Sequence, residues 1–426
     1  MTVRRLLRVA PDPLSIARSL AGAPGLALLV SRPQGASTSA DARWSFVAAW
    51  PVQTSVDLVP PSDDAGDPAP RWIGWVPYDA LRSAERPGWT RDPDERAAPA
   101  LVLPAWRRYA AVVRVDHFTG EVLVVGDDEP AVASLARAVL RGAGRHAAAS
   151  AGRPQLRVLP PDEPEQRHAD RVRDVLRLIA AGDVYEVNLA RRIPVSFRGD
   201  GVALFASLLE AAPAPWSFFQ DVGETRVVAT SPELALSVRG DVLRTGPIKG
   251  TRPRGAHADE DARLARELDD DPKERAELTM AVDVHRNDLG RVAVPGSVRL
   301  VAEPRVVAGR TVWSRVAEIV ARRAPGASLA DVARAVLPCG SVTGAPKVRA
   351  MEVIARLEPW RRGLYTGAFG YVGRDGRLEL AMAIRTLQLQ GDEGAYFTGG
   401  GIVADSVPER ELEETRWKAA QLARLA

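Results

Sequence analysis

Two rhythms of apolar and polar residues divide this chain. Residues 1–145 carry short apolar runs, "RWSFVAAWP", "WIGWVPYDA", "AAVVRVD" and "GEVLVVG", between polar, Pro-rich and Gly-rich segments. That pattern predicts antiparallel strands with few long helices. Residues 146–162 lie within the Ala-, Gly- and Pro-rich stretch from Arg141 to Gln166 and predict a linker or surface loop. Beyond it, "QRHADRVRDVLRLIAAG" sets Val172, Val175, Leu176, Leu178 and Ile179 at helical spacing, with Gly182 as a stop. "VYEVNLARRIPVSF" alternates as a strand, and further helices are predicted from Pro272 to Asn287, Pro346 to Leu357 and Pro408 to Leu425. Strand-like "RTLQLQG" and "AYFTGGGIVAD" precede the last helix. The expected organisation is an N-terminal region (1–145), a connection (146–162) and a main domain (163–426), with no internal repeat.

Composition narrows the function classes. A chain of 426 residues, 46% hydrophobic, can bury a large core. Its 57 basic and 54 acidic residues leave a net charge of +3 with no dense run of like charge, so no nucleic-acid partner is expected. The single Cys339 excludes an intrachain disulfide and a cysteine zinc site, which fits a reducing compartment. Pro11, Asp12 and Pro13 interrupt the first apolar run before a signal-peptide core forms, and no segment approaches the roughly 18 apolar residues of a membrane span. The expectation is a soluble, cytoplasmic protein without a membrane partner.

Four stretches carry candidate chemistry. In "DDPKERAELTMAVDVHRNDLG", Asp271 suits an N-cap, Pro272 the first helical position, and Glu274 the return carboxylate of a capping box. Glu277 lies one turn on, so two carboxylates share a helix face and repel unless a cation lies between them. "ADSVPERELEETRWKAA" repeats the spacing with Glu411 and Glu414, after the triplet Gly399, Gly400 and Gly401. Two such helices could supply oxygen ligands to a hard cation, although each pair alone is equally a solvated face. "LPCGSVTGAPKVRAMEVI" joins a glycine-rich loop to a helix start, which favours an anion, but Lys347 lacks the neighbours of a phosphate loop. Arg385, in "AMAIRTL", could hold a carboxylate bidentately. Lys249, in "RTGPIKGTRPRG", is either a surface lysine on a hairpin or, beside Arg244, Arg252 and Arg254, an amine whose pKa is depressed for nucleophilic work.

Together these motifs resemble the chorismate-utilising enzymes, the group containing anthranilate synthase large subunits, aminodeoxychorismate synthase component I, and the isochorismate and salicylate synthases. "GDVYEVNLARR", "ATSPELALSVRG", "TGPIKGTRPRG", "DPKERAELTMAVDVHRNDLGRV", "PCGSVTGAPKVRAMEVI", "LYTGAFGYV", "MAIRTL" and "GGGIVADSVPERELEET" run in the family's order over about residues 160–426. The resemblance implies an α+β fold of the anthranilate-synthase type, with stacked antiparallel β-sheets and helices outside. It implies a Mg2+ cofactor bound by Glu277 and Glu414, supported by Glu274 and Glu411, that holds the ring carboxylate of chorismate. Tyr365, Arg385 and the Gly399, Gly400 and Gly401 backbone would hold the enolpyruvyl carboxylate, beside Gly340, Ser341, Thr343 and Gly344; Thr251 would also contact substrate.

Glu233, in "SPEL", matches the acid that protonates the departing C4 hydroxyl. Lys249 stands where anthranilate synthases carry a small residue and aminodeoxychorismate synthases a lysine, and so points to attack on C2 of chorismate and amination at C4. With no cysteine free for a class I glutaminase, ammonia is expected from a separate glutamine amidotransferase subunit. Three positions depart from the family. Glu186 stands where aminodeoxychorismate synthases often have glutamine and isochorismate-type enzymes a lysine. Thr311 stands for a histidine and Cys339 for a glycine. Anthranilate synthase component I is the alternative enzyme reading, and a non-catalytic chorismate-binding or glutaminase-scaffolding protein the alternative of another class.

Overall fold

A computed structural model of the chain describes residues 2–31, 43–62, 66–85, 96, 101–143, 154–423 and 425. The apolar runs of both halves enter the same two sheets. The larger begins with Val3–Leu7, Val122–Gly126, Ala111–Asp116, Trp44–Ala48 and Ala27–Val30. It continues through Trp216–Asp221, Thr225–Ser231, Thr386–Gln390, Glu393–Ile402, Glu186–Arg198 and Gly344–Ala345. The junction is the antiparallel pairing of Ala27–Val30 with Trp216–Asp221, register Ser217 to Val30. In the second sheet Pro70–Val76 pairs with Ala368–Gly373, Gly74 opposite Gly370. A small third sheet joins Ile248–Pro253, Val312–Val316 and Arg305–Ala308. The expected α+β architecture of stacked antiparallel sheets with outer helices is what the chain forms.

Burial on both faces explains why the strands read as continuous apolar runs rather than a clean alternation. In "AVVRVD", Val113 and Val115 face the helix-covered core, whereas Val112 faces the other sheet. Phe218 of the larger sheet stacks on Phe369 of the second at 5.0 Å between centroids. The helices Pro13–Ser19, Glu129–Ala143 and Gly201–Ala211 cover the first sheet's outer face, and Pro272–Gly290 and Leu329–Val336 cover the second's. Gln166–Ala180 and Lys347–Leu357 pack around Val187, Leu189 and Ile402.

The helices expected at residues 166, 272, 346 and 408 start within a residue of those positions, the third at Lys347 with Pro346 as N-cap. One long helix stands in the region read as strands: Glu129–Ala143, whose Val132, Leu135, Ala136 and Val139 are buried at helical spacing. Of the expected connection 146–162, residues 146–153 lie outside the described residues, and Gln155–Val158 forms a strand on Glu186–Arg198. No described helix is long and apolar enough to cross a membrane.

His168, on Gln166–Ala180, is buried with neither ring nitrogen hydrogen-bonded among the described residues. Burial, with Arg191 and Arg171 nearby, pushes its pKa down to about 3. A base held neutral in the fold binds its proton first in the unfolded chain, so its contribution is present above about pH 6.5 and declines as pH falls from there. The slope is at most about 1.4 kcal/mol per pH unit. Carboxylates titrate over the same window, so we expect the difference between wild type and His168→Leu in denaturant midpoint to move in the variant's favour as pH falls; a difference independent of pH would contradict this.

Candidate active site

Lys249 sits where the second sheet hands the chain to the third. Val242–Gly246 pairs inside the second sheet, Pro247 turns the chain, and Ile248–Pro253 pairs with Val312–Val316. The lysine is therefore not on a surface hairpin. The register shifts between Lys249 and Thr251 at Gly250, whose φ of +77° suits a glycine. The shift separates the two side chains: Lys249 is buried and Thr251 exposed.

The expected cationic neighbourhood is absent, because the arginines are engaged elsewhere. Arg252 binds Asp271 at 2.8 Å and Glu274 at 3.1 Å, Arg254 binds Asp261, and Arg244 reaches Glu318 at 3.2 Å. Carboxylates surround the amine instead. Lys249 Nζ donates to Glu186 Oε1 in a buried ion pair. Burial opposes its charge, but Glu186, Glu277 and Glu233 outweigh that and raise the lysine above its ordinary value. The expectation of a depressed lysine is thus corrected: the amine is held as an ammonium by its acidic ring.

Glu233 follows the strand Thr225–Ser231 and is 3% exposed. Burial pushes its carboxyl up to about 7, against hydrogen bonds from Ser341 and the Ile248 N–H and the charge of Lys249. Ser341 Oγ donates to Glu233 Oε1 at 2.7 Å. The glycine-rich loop carries that contact, and its glycines fit it closely against its neighbours. A Cβ on Gly340 would strike Val284 of the helix Pro272–Gly290, and one on Gly344 would strike the Glu186 backbone. Thr343 closes the loop by donating to the Cys339 carbonyl at 2.9 Å. Cys339 is buried, and burial raises its thiol well above the ordinary value, so it is no thiolate nucleophile. Lys347 points inward and binds Asp288 at 2.6 Å.

The two acidic helices converge on the same region. Asp271 caps Pro272–Gly290 through the Lys273 and Glu274 N–H groups, and the Glu274 carboxylate goes to Arg252 rather than completing a capping box. Glu277 is pushed up to about 7, chiefly by burial and then by Glu186 and Glu274, against Lys249 and Lys273. On the closing helix Pro408–Ala423, burial raises Glu411 despite a hydrogen bond from Ser406. Burial also opposes the Glu414 charge, but Lys418, Lys273 and Lys249 outweigh it and lower its pKa. Lys273 feels all four helix carboxylates, Glu277, Glu411, Glu274 and Glu414. Lys418 binds Glu414 at 2.7 Å and the Gly399 carbonyl at 2.8 Å.

A side chain at either of two glycines would fill this space. A Cβ at Gly400 would lie 3.3 Å from Glu411 Oε2 and 3.6 Å from Glu414 Oε1. One at Gly401 would overlap Glu186 and sit 3.1 Å from Lys249 Nζ. An all-oxygen donor set whose Glu277 and Glu411 are left short of positive charge fits a hard divalent cation. No three of these groups close on one point among the described residues, so the set holds such an ion only with shifted side chains.

Arg385 lies just before Thr386–Gln390 rather than within a strand, with a φ of +52°. Among the described residues no carboxylate partners its guanidinium, and burial lowers its pKa. Tyr365 is buried, stacked on Phe397 at 5.3 Å and beneath Arg362. The residues that sequence reasoning passed over are the cations Lys273 and Lys418, and Asn188, a buried side chain two residues from Glu186 whose Oδ1 has no partner among the described residues. The i, i+4 spacing of Lys273 to Glu277 and of Glu414 to Lys418 was a legible signal; Asn188 had none.

The fold and this carboxylate-ringed lysine define one protein class. The chain belongs to the chorismate binding enzyme family, whose model matches residues 29–424. It is 39% identical over 367 residues to anthranilate synthase component 1 of Streptomyces coelicolor, covering 82% of this chain and 71% of that protein. It is 40% identical over 260 residues to aminodeoxychorismate synthase component 1 of Bacillus subtilis, covering 61% and 55%. The crystal structure of anthranilate synthase component I from Streptococcus pneumoniae superposes with a TM-score of 0.77 at 27% identity, over 92% of this chain and 95% of that one.

We expect Gly401→Ala to force Lys249 and Glu186 apart while leaving the sheet intact. Turnover of chorismate should fall by about 100-fold or more, the scale of an ångström-sized misplacement, and the thermal midpoint should drop because a buried ion pair is disturbed. Wild-type turnover in the alanine variant would contradict the role of this bare strand.

Proposed function

We propose that the protein is the large component of an aminodeoxychorismate synthase, converting chorismate and ammonia to 4-amino-4-deoxychorismate. The observation that carries the reading is the buried Lys249 amine, within electrostatic reach of Glu233, whose acid form is present in substantial amount near neutrality. The Lys249 nitrogen attacks C2 of chorismate, the ring double bonds shift, and the C4–O bond breaks as Glu233 gives its proton to the leaving hydroxyl. Ammonia then bonds to C4, the C2–nitrogen bond breaks, and Glu233 recovers a proton from the new ammonium. The sum is chorismate and ammonia to aminodeoxychorismate and water.

Glu277 and Glu414, with Glu274 and Glu411 in support, would hold a magnesium ion, which supplies positive charge for the ring carboxylate. Arg385, half-buried and without a carboxylate partner among the described residues, and Tyr365 would receive the enolpyruvyl carboxylate together with the Gly399, Gly400 and Gly401 backbone. Ser341 positions the acid, while Gly340, Thr343 and Gly344 shape its loop. Ammonia would come from a separate glutamine amidotransferase, and free ammonium would replace it in an assay. Anthranilate formation is the second reading, favoured by the 39% identity to the Streptomyces coelicolor protein.

Purified protein with chorismate, magnesium and ammonium should yield aminodeoxychorismate by mass, without pyruvate. Prompt pyruvate and anthranilate would decide for the second reading, and Lys249→Ala should lose nearly all turnover. Because Glu233 acts in its acid form and titrates near 7, kcat at constant free ammonia should fall as pH rises through that value. Glu233→Gln should lower the rate by about 10²–10⁴-fold and remove the limb; a limb that survives the substitution belongs to another group.

A further inference from the structure

Lys249 is buried as an ammonium, and an ammonium is no nucleophile. Chemistry at C2 therefore needs a place for its proton. Four carboxylates reach the amine electrostatically from four elements: Glu186 on the strand Glu186–Arg198, Glu233 after the strand Thr225–Ser231, Glu277 on the helix Pro272–Gly290 and Glu414 on the closing helix. Three of them are otherwise engaged. Glu233 accepts from Ser341 and the Ile248 N–H, Glu277 lies 3.6 Å from Lys273, and Glu414 is paired with Lys418. Glu186 is the one hydrogen-bonded to Nζ. It is also 2% exposed, and the missing side chain of Gly401 leaves room for the pair.

We propose that Glu186 is the acceptor that takes the proton of Lys249 and frees its amine for attack, an inference that rests on the aminodeoxychorismate reading. The N–H bond of the ammonium breaks and the proton moves to Glu186 Oε1 along the hydrogen bond already present. An ion pair becomes a neutral pair, so no net charge is created in the buried site and none must cross to solvent. The proton returns to the amine when the C2–nitrogen bond breaks in the second half of the reaction. Glu186 touches no reacting carbon and acts through Lys249. In a site of this kind a carboxylate at position 186 is thus part of the nucleophile rather than a substitute for a water-activating group.

The test separates proton acceptance from packing. With magnesium present and ammonia omitted, wild-type enzyme mixed with chorismate should gain the mass of chorismate less one water, localised to Lys249. Glu186→Gln should form this adduct about 10²–10⁴-fold more slowly near neutrality. Measured against wild type at each pH, this deficit should shrink as pH is raised toward about 10, where a lysine loses its proton to solvent unaided and both proteins share the loss of the Glu233 acid form. Glu186→Asp, which keeps the charge, should fall between the two without needing high pH. A Glu186→Gln rate equal to wild type, a deficit that high pH does not relieve, or an aspartate variant no faster than the glutamine variant would each overturn the proposal. If wild type makes aminodeoxychorismate yet forms no adduct, both the nucleophile and its acceptor are refuted. If it forms the adduct but releases anthranilate, the product assignment fails and the role of Glu186 stands.

Discussion

A buried ammonium is the constraint around which this molecule is built. An unpaired cation in a protein interior costs several kcal/mol even after relaxation. Lys249 is therefore tolerated only if carboxylates are delivered to it. They come from Glu186, Glu233, Glu277 and Glu414, segments far apart in the chain. Satisfying one lysine thus requires the edge of the larger sheet, the turn beyond its Thr225–Ser231 strand, and two helices to arrive together. The sandwich core, in which Phe218 stacks on Phe369, fixes the sheets from which these groups project.

The surplus of negative charge follows from the same packing. Glu233 and Glu277 are pushed up to about 7 because burial withdraws water faster than Lys249 and Lys273 can replace it. Such a cluster is electrostatically unsaturated, and an added cation or proton relieves it. Arg385 is the opposite case, a half-buried cation that no carboxylate partners among the described residues.

Much of this was legible in the chain. The helix from Pro272 could be read from its cap and spacing, and the closing helix from its acidic pairs. The glycine triplet marked a strand that something approaches closely. The family motifs carried every candidate residue, because short-range signals encode helix starts, turns and backbone approach. Two contacts were hidden from the sequence for a common reason. Arg244, Arg252 and Arg254 are sequence neighbours of Lys249, yet each turns to a carboxylate of its own. Glu186 reads as a departure from a motif, yet it is the lysine's partner.

By itself the sequence determined the strand and helix periods, the near balance of charge, and which residue types could do chemistry, since these depend on composition and on interactions within a few residues. Only the tertiary structure decided the charge state of the site. Electrostatic energy depends on distance and burial rather than on separation along the chain. The bulge at Gly250 and the bare backbone at Gly401 place an ammonium against a carboxylate 63 residues away, and nothing local to "GPIKGT" specifies that.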